Sequence, residues 1–582
     1  MRPPEARCGD SSHGDSSHGD SRRRDPSGEQ DQTSDERRAL GTLQGLSAET
    51  TDSPRPAGPQ ASSPAAGSTL TPRQWMVVVI ASIGAMLEVI DVSITNVALV
   101  HIQANLGATL SEVGWVVTGY AMASVVVIPL SDWFSAVLGQ SRFFQLSLIG
   151  FTAASVLCGL APTLPWLVAA RLLQGLLGGA LMPMAQAIMF RAVPKAQQGI
   201  AQGVFGVVVL TGPALGPTLG GLLTDTLGWR WIFFVNLPFG ILTSLLALRF
   251  FPPDDSAARL EAGRRGADWI GIGLLCVCLG SLQVVLEQGN QYDWWAHPAI
   301  RSLGLLALVS LPVFLLWEWR QRYPAVDLRV LRYRSLAAGS VFSFVLGLGL
   351  FGTIFLVPIY AQSMLHDTAS QTGLLILPGA LASALAMALL GRMVQRFDPR
   401  WLIAVGALLM WVTMGQLGRI GPETGQEALF WPLILRGVAT VTMFLPLSLA
   451  TLGPLPRTAV GAGSGFFNLS RQLGGTFGIA ALTVILDHRQ AEHRAHLVEH
   501  LSVTDPLLQQ RLQQLQAFLA VRAPGPGEAQ QQALALLSHQ LDQQAALLAY
   551  GDVFRVVGMV FLLAIPLVCL LGRPRPAPLQ GS

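Results

Sequence analysis

Apolar runs close to twenty residues long recur from Thr71 almost to the end of the chain, and no other property of the sequence limits its fold so severely. At about 1.5 Å per residue, each run is long enough as a helix to cross a hydrocarbon core about 30 Å thick. In that core every backbone N–H and C=O must be satisfied within the segment, which a helix does. The runs fall at 75–98, 112–130, 143–161, 165–189, 199–223, 231–250, 268–287, 299–318, 335–361, 371–391, 401–418, 431–453, 464–486 and 553–572, fourteen in all. With 51% of its residues hydrophobic and 13% charged, the chain has too little polar sequence to coat so much apolar surface with water. The expected fold class is an all-α polytopic membrane protein with fourteen transmembrane helices.

Charge in the connecting segments sets an expected orientation. Alternate loops carry Arg142, then Arg191 and Lys195, Arg259, Arg264 and Arg265, the cluster Arg320 to Arg334, Arg392 to Arg400, Arg457, and Arg573 with Arg575, whereas the others hold little beyond Arg230 and Arg419. Basic loops stay in the cytoplasm, so both termini are expected there. Residues 1–70, rich in Ser, Gly, Asp, Arg and Pro with a tandem SSHGDSSHGD at 11–20, read as a disordered cytoplasmic tail, and 573–582 as a second, short tail. No cleavable signal pattern opens the sequence, so the first run is expected to act as the insertion signal.

Several function classes fall away. The basic residues sit in short loops rather than a patch, which argues against nucleic acid. The single lysine, Lys195, stands outside any GxxxxGK[ST] phosphate loop, so an ATP-driven pump is not expected from this chain. The five cysteines, Cys8, Cys158, Cys276, Cys278 and Cys569, have no metal-ligand or disulfide spacing. No cofactor and no metal are expected.

A weak internal echo organises the rest. The second run is followed by SDWFSAVLGQSR at 131–142 and the tenth by GRMVQRFDPR at 391–400; the fourth places Arg171 ahead of Pro183 and the twelfth Arg436 ahead of Pro446. This suggests an N-terminal six-helix bundle over 71–250, a linker with two inserted helices over 251–334, and a C-terminal six-helix bundle over 335–572.

Ionisable side chains inside apolar runs are costly, by roughly 2.5 to 3.5 kcal/mol at mid-bilayer, and need a partner or a task. Glu88 and Asp91, three residues apart in MLEVIDVSITNVAL, are expected on one face, where two carboxylates cannot both ionise cheaply and can therefore hold a proton. The alternative is a structural carboxylate neutralised by an arginine. Arg171 in the fourth run needs an acceptor, with Asp91 the natural one, and Gln174 shares its face. In the fifth run Gly212, Pro213, Gly216, Pro217, Gly220 and Gly221 describe a small-residue stripe on a bent helix, serving either a gate or plain packing. Asn468, Arg471 and Gln472 in FNLSRQLGG offer a tie between the halves or a substrate contact, and Asn96 and Arg436 join Gln174 as substrate or gating candidates.

Between the last two runs, 487–552 forms a long extracytoplasmic loop. Its leucines step by three, four and seven residues, which predicts amphipathic helices split by APGPG at 523–527. His493, His496 and His500 share a helical face there, but with no assured acidic co-ligand a protein-docking hairpin fits the loop better than a metal site.

Taken in order, LEVIDVSITNVAL, LVAARLLQG, GPALGPTLGG, WRWIFFVNLPFG at 229–240 and FNLSRQLGGTFG at 467–478 resemble the major facilitator superfamily, and within it the fourteen-helix EmrB/QacA-type drug:proton antiporters. The resemblance covers nearly all of 71–572. It implies export of small amphipathic substrates, such as drugs, against protons across a bacterial inner membrane, with Asp91 and Arg171 matching the family's membrane-embedded carboxylate and proton-linked arginine. The Gly–Pro run matches its antiporter motif. It also implies a periplasmic membrane-fusion adaptor and an outer-membrane channel. The loop after the second helix departs from the family pattern G-x-L-x-D-R-x-G-R-[KR]: Asp132 stands at the first glycine and Ala136 at the aspartate, leaving Gly139 and Arg142 as matches. Rival readings are an exporter of one endogenous siderophore, lipid or antibiotic, a membrane enzyme, or a receptor. The chain shows neither the clustered catalytic constellation nor the folded signalling domain that the last two would need.

Overall fold

The computed structural model describes residues 70–254, 268–365, 367–419, 421, 425–501, 506–520 and 526–571. The two expected tails lie outside the described residues apart from Leu70. Among the described residues every regular element is helical. Helix α1 spans Pro72–Leu106, α2 Leu110–Leu138, α3 Gln140–Gly159, α4 Leu164–Gly178, α5 Leu181–Ala192, α6 Gln198–Thr226, α7 Trp231–Phe234, α8 Asn236–Phe250 and α9 Trp269–Gln288. Beyond these come α10 (Pro298–Arg320), α11 (Arg334–Met364), α12 (Ala369–Met393), α13 (Pro399–Leu417), α14 (Gln426–Leu452), α15 (Val460–Glu499), α16 (Pro506–Ala520) and α17 (Pro526–Ala564).

Among the described residues thirteen stretches are long and apolar enough to cross a membrane, α4 with α5 and α7 with α8 each counting as one. Taken as one span, α6, which bends by 40° between Pro213 and Leu215, makes a fourteenth. A proline removes one intrahelical hydrogen bond and crowds the preceding turn, so a bend falls where the sequence carries Pro213 and Pro217. Ser93 Oγ of α1 donates to the Pro213 carbonyl at 3.2 Å. The outer surface is apolar, most openly on α10, where Leu305, Leu308, Val309 and Leu316 are exposed. The protein is a multi-pass membrane protein.

The helices form two six-helix bundles with the same internal pairing. In the first, α1 packs on α6, α2 on α4, and α3 on α4 and α8; in the second, α11 packs on α15, α12 on α14, and α13 on α14 and α17. The bundles meet along two seams, α6 with α12 and α2 with α15, while the inserted α9 and α10 pack on each other and α9 lies against both α2 and α15. Equivalent helices even start alike. Thr109 and Glu112 close a capping box at α2, and Thr368 and Gln371 close one at α12, from T-x-S-[EQ]-x-G in both places.

Glycines set the distances of closest approach. A Cβ on Gly478 of α15 would lie 2.6 Å from the Leu348 carbonyl oxygen of α11, and one on Gly203 of α6 would lie 3.2 Å from the Gly391 Cα of α12. Within the hydrocarbon the gain from helix association comes from such close packing.

The loop over 487–552 differs from its expected form. It does not consist of two free-standing helices: α15 and α17 run on past the spans, and α16 folds back onto α17. Arg494 Nε donates to Asp542 at 2.6 Å and His493 stands 2.9 Å from Asp552, tying the two extensions together. Leu515, Ala529 and Ala533 are buried in this hairpin, Leu537 and Leu541 half-buried, and Leu507, Phe518 and Leu534 exposed. The amphipathic stripe is thus partly satisfied within the loop itself, because the helical register continues from the spans and brings both faces together.

Replacing Gly478 with Val should lower stability by about 1 to 3 kcal/mol through overpacking against the α11 backbone. A fall in the thermal unfolding midpoint of the detergent-solubilised protein checks this, and an unchanged midpoint would mean that the α11–α15 contact is loose.

Candidate functional site

Asp91 and Arg171 are among the most deeply buried charges, 0% and 1% exposed, and they form an ion pair between α1 and α4. A buried carboxylate and a buried guanidinium are stable only when their remaining hydrogen-bonding capacity is filled. Here it is. Gln174 Nε2 donates to Asp91 Oδ1 at 2.9 Å and Asn236 Nδ2 to the same oxygen at 2.8 Å. Arg171 also donates from Nη1 to Gln174 Oε1 at 2.9 Å and from Nε to the Val116 carbonyl at 3.1 Å. Its guanidinium lies 4.4 Å from the centre of the Tyr120 ring, a favourable place for a cation away from water.

Behind this node, Asn236 donates to Ser155 Oγ at 3.1 Å, and Ser155 donates to the Phe233 carbonyl at 2.9 Å. Five helices, α1, α2, α3, α4 and α8, therefore meet in one continuous polar network. Gln174, expected among the substrate or gating residues, spends its amide within that network instead, because it sits one turn along α4 from Arg171. Asn236 and Ser155 were not anticipated as site residues. Asn236 stands inside WRWIFFVNLPFG, where a single amide amid aromatics was the available signal; Ser155, on α3, had none.

Glu88 takes other partners. It accepts from the Met182 backbone N–H of α5 at 3.0 Å and faces Arg471 of α15 across the interface of the bundles. The three-residue step thus gives the two carboxyls different hydrogen-bond partners, Gln174 and Asn236 for Asp91 and the Met182 N–H for Glu88, while Asp91 stays close enough to act on Glu88 electrostatically. Arg471 Nη2 donates to Met182 Sδ at 2.8 Å and to Asn468 Oδ1 at 3.3 Å, and Asn468 Nδ2 donates to Gln186 Oε1 of α5 at 2.7 Å. Ser464 Oγ reaches the Pro183 carbonyl at 2.9 Å. Asn468 and Arg471 thus tie α15 to α5. Gln472 is half-buried and its carbonyl accepts from Thr476. Asn96 is exposed on α1, away from both clusters.

Arg436 occupies in the second bundle the place that Arg171 holds in the first, on α14, but Nη1 donates to the Thr353 carbonyl at 3.3 Å and, among the described residues, no carboxylate pairs with it. Among the described residues, the second bundle places no acid on Arg436 to complete the repeat.

Along α6 the glycine stripe faces α1. A Cβ on Gly212 would lie 3.0 Å from Val89 and one on Gly220 3.0 Å from Ile94, while Gly216 abuts Ser93. Gly221 is buried beside it. At the α2–α3 connection, Asp132 points at Gly461 in the first turn of α15, with Arg191 alongside. Gly139 adopts φ 92°, a conformation suited to glycine, and starts α3. Arg142 contributes its backbone there: the Ser141 and Arg142 N–H groups donate to Asp254 at 2.9 and 3.1 Å, and the Arg142 side chain is exposed. No cluster of metal-ligating side chains occurs among the described residues; His493 is paired with Asp552 and the His500 ring with the His496 carbonyl.

The profile of the Major Facilitator Superfamily matches residues 81–479. The chain is 30% identical over 492 residues to the fatty acid resistance protein FarB of Neisseria gonorrhoeae, covering 84% of this chain and 95% of that one. It is also 30% identical over 496 residues to the multidrug export protein EmrB of Escherichia coli K12, covering 85% and 94%. Among solved structures it resembles the proton:xylose symporter XylE, with a TM-score of 0.53 at 13% identity over 85% of this chain and 96% of that one. The human organic anion transporter MFSD10 matches with a TM-score of 0.52 at 15% identity, covering 84% and 100%.

If the node is held by its ion pair, Arg171→Met should cost about 3 to 5 kcal/mol, because it strands Asp91 in a dry site. Asp91→Asn combined with Arg171→Met should recover most of that loss. Thermal unfolding of the single and double variants measures both, and equal midpoints for the two would show that the pair contributes nothing beyond its separate members.

Proposed function

Because the chain belongs to the Major Facilitator Superfamily, we propose that it is a proton-coupled antiporter exporting drugs or other lipophilic amphiphiles across the cytoplasmic membrane, with both termini in the cytoplasm. The observation that carries this reading is the Asp91–Arg171 pair, a carboxylate sealed from water with its own arginine at the meeting point of five helices. Protonating Asp91 removes the charge that Arg171 answers, and the guanidinium must then find other acceptors. A proton arriving at Asp91 therefore alters the packing of α1 against α4, next to the α1 face on which the glycine stripe of α6 rests. Similarity to EmrB supports the substrate class.

Glu88 and Arg471 lie where the bundles meet and form the wall that a substrate entering between them would touch. A second reading of the substrate rests on Arg436, a cation with a single carbonyl partner and no acid. An amphiphile with an acidic head would supply that acid, in keeping with the name of the relative FarB. A charge-assisted hydrogen bond is worth about 1.5 to 3 kcal/mol, so Arg436→Gln should weaken export of a carboxylated amphiphile about tenfold or more and spare a cationic dye. Equal losses for both substrates would remove Arg436 from recognition.

The helical hairpin over 487–552, with Leu507, Phe518 and Leu534 exposed, serves as the docking face for a periplasmic membrane-fusion adaptor leading to an outer-membrane channel. Replacing 490–548 with a short Gly–Ser linker should leave transport in everted vesicles largely intact and remove resistance in whole cells. Loss of vesicle transport would place the hairpin in the pump's own cycle instead.

The coupling itself is tested in everted vesicles with an imposed pH gradient. Asp91→Asn should abolish gradient-driven substrate uptake while the protein still inserts, and retention of the wild-type dependence on the gradient would sink the assignment. Glu88→Gln should move the pH optimum more than the maximal rate; an unchanged pH profile would leave Glu88 as a contact residue without a proton.

A further inference from the structure

The inserted α9 brings a third carboxyl into the protein interior, at the seam of the two bundles. Glu287 Oε1 accepts from Gln283 Nε2 at 2.7 Å, and the same amide donates to Thr476 Oγ1 of α15 at 3.2 Å. One turn along, Gln288 Nε2 donates to Thr118 Oγ1 of α2 at 2.8 Å, and the Thr118 hydroxyl also faces Glu287. Neighbouring residues of one helix thus hold the first bundle through Thr118 and the second through Thr476. Just beyond, Asn290 Nδ2 donates to Asp487 of α15 at 2.9 Å.

The repeat shows how unusual this is. Gly373 at the start of α12 meets Thr218 of α6, its neighbour across the other seam, whereas the matching Gly114 of α2 meets Gln288 of α9. At this end α9 stands between the bundles.

The hydrogen bonds of the cluster do not balance. Among the described residues no protein group donates to Glu287 Oε2, Gln283 Oε1 or Gln288 Oε1, and all three atoms are buried. Both Gln283 amide hydrogens are committed, to Glu287 and Thr476, and the Thr476 hydroxyl donates to the Gln472 carbonyl at 3.2 Å. An unmatched buried acceptor costs about 1 to 3 kcal/mol, and a carboxylate more. Among the described residues no cation pairs with Glu287. On α2, Tyr120 lies under Arg171 and Glu112 bonds to Thr109 at the helix start. On α15, Arg471 is engaged by Met182 and Asn468, and Asp487 by Asn290. On α10, Arg301 is exposed and Glu318 lies beside Gly271 at the opposite end of α9. A single proton on Oε2 reduces the mismatch, since a neutral carboxyl in a dry cluster needs fewer donors than a carboxylate.

We propose that Glu287 is a protonation site separate from Asp91 and Glu88, and that its proton closes a polar clasp in which α9 holds α2 and α15 together at one end of their seam. Loss of the proton leaves a carboxylate whose buried Oε2 has no donor in the cluster. The clasp then opens to water and the two bundles are released from α9.

The test is pH-difference infrared spectroscopy of the full-length protein in nanodiscs, read at the stretching band of protonated carboxyl groups; it needs no substrate and does not depend on export. Glu287→Gln should remove one component of that band, which Asp91→Asn and Glu88→Gln should both retain. Gln283→Leu should shift the same component by removing the amide that donates to Oε1, which keeps the inference testable if Glu287→Gln folds poorly. In the clasp arm, spin labels on the outer ends of α2 and α15 should separate as the pH rises in wild type and hold a constant distance in Glu287→Gln. An infrared band unaffected by Glu287→Gln, or labels that move identically in the two proteins, would overturn the proposal.

Discussion

A guanidinium surrounded by hydrocarbon leaves a membrane protein few choices, and the first bundle is built around one. Arg171 has its charge answered by Asp91 and its Nε–H answered by the Val116 carbonyl, with the Tyr120 ring covering its flat face. The partners come from α1, which supplies Asp91, and from α2, which supplies both Val116 and Tyr120, so α1, α2 and α4 cannot slide past one another without exposing a charge. Asn236 and Ser155 extend the constraint to α8 and α3. Because the desolvated pair is stable only when complete, any event that changes the charge of Asp91 is felt by all five helices.

The second bundle repeats the helices without repeating this solution. Arg436 lies on the equivalent helix with a carbonyl for company, and the polar groups that matter there, Asn468 and Arg471, look across to α5 rather than inward. Evenness of fold and unevenness of chemistry go together: the first half holds the Asp91–Arg171 pair internally, and the second turns Asn468 and Arg471 to the space between the halves.

Much of this could be read from the sequence. Hydrophobic length alone defined the spans, because the hydrocarbon imposes a common length on every one, and the cost of burying Arg171 pointed to Asp91 before any coordinates. The Gly–Pro run marked the bend of α6 because proline acts locally. What could not be read was direction and distance. Glu88 and Asp91 diverge because a three-residue step rotates the side chains by about 60° around the helix, enough to give them separate partners. Asn236 reaches Asp91 across 145 positions, a contact without local signature. A further internal echo, the paired T-x-S-[EQ]-x-G helix starts at Thr109 and Thr368, went unread in the sequence, because its meaning as a repeat needed the two helices side by side. The continuation of α15 and α17 into the outer hairpin was obscured because their polar turns lower the hydropathy while the helical register persists.

The two seams between the bundles differ in what resists their motion. Along α6 and α12, Gly203 and Gly391 bring the backbones together with no side chain interposed. Beside them the flexible Met387 side chain packs on Gly206, and a thioether of this kind changes rotamer cheaply as the surfaces roll over one another. Along α2 and α15 the joint is polar, with Thr118 and Thr476 held by α9 and Ser464 and Asn468 held by α5. A rocking motion would thus find a smooth bearing on one flank and a row of latches on the other, so its timing would be governed from the latched flank alone.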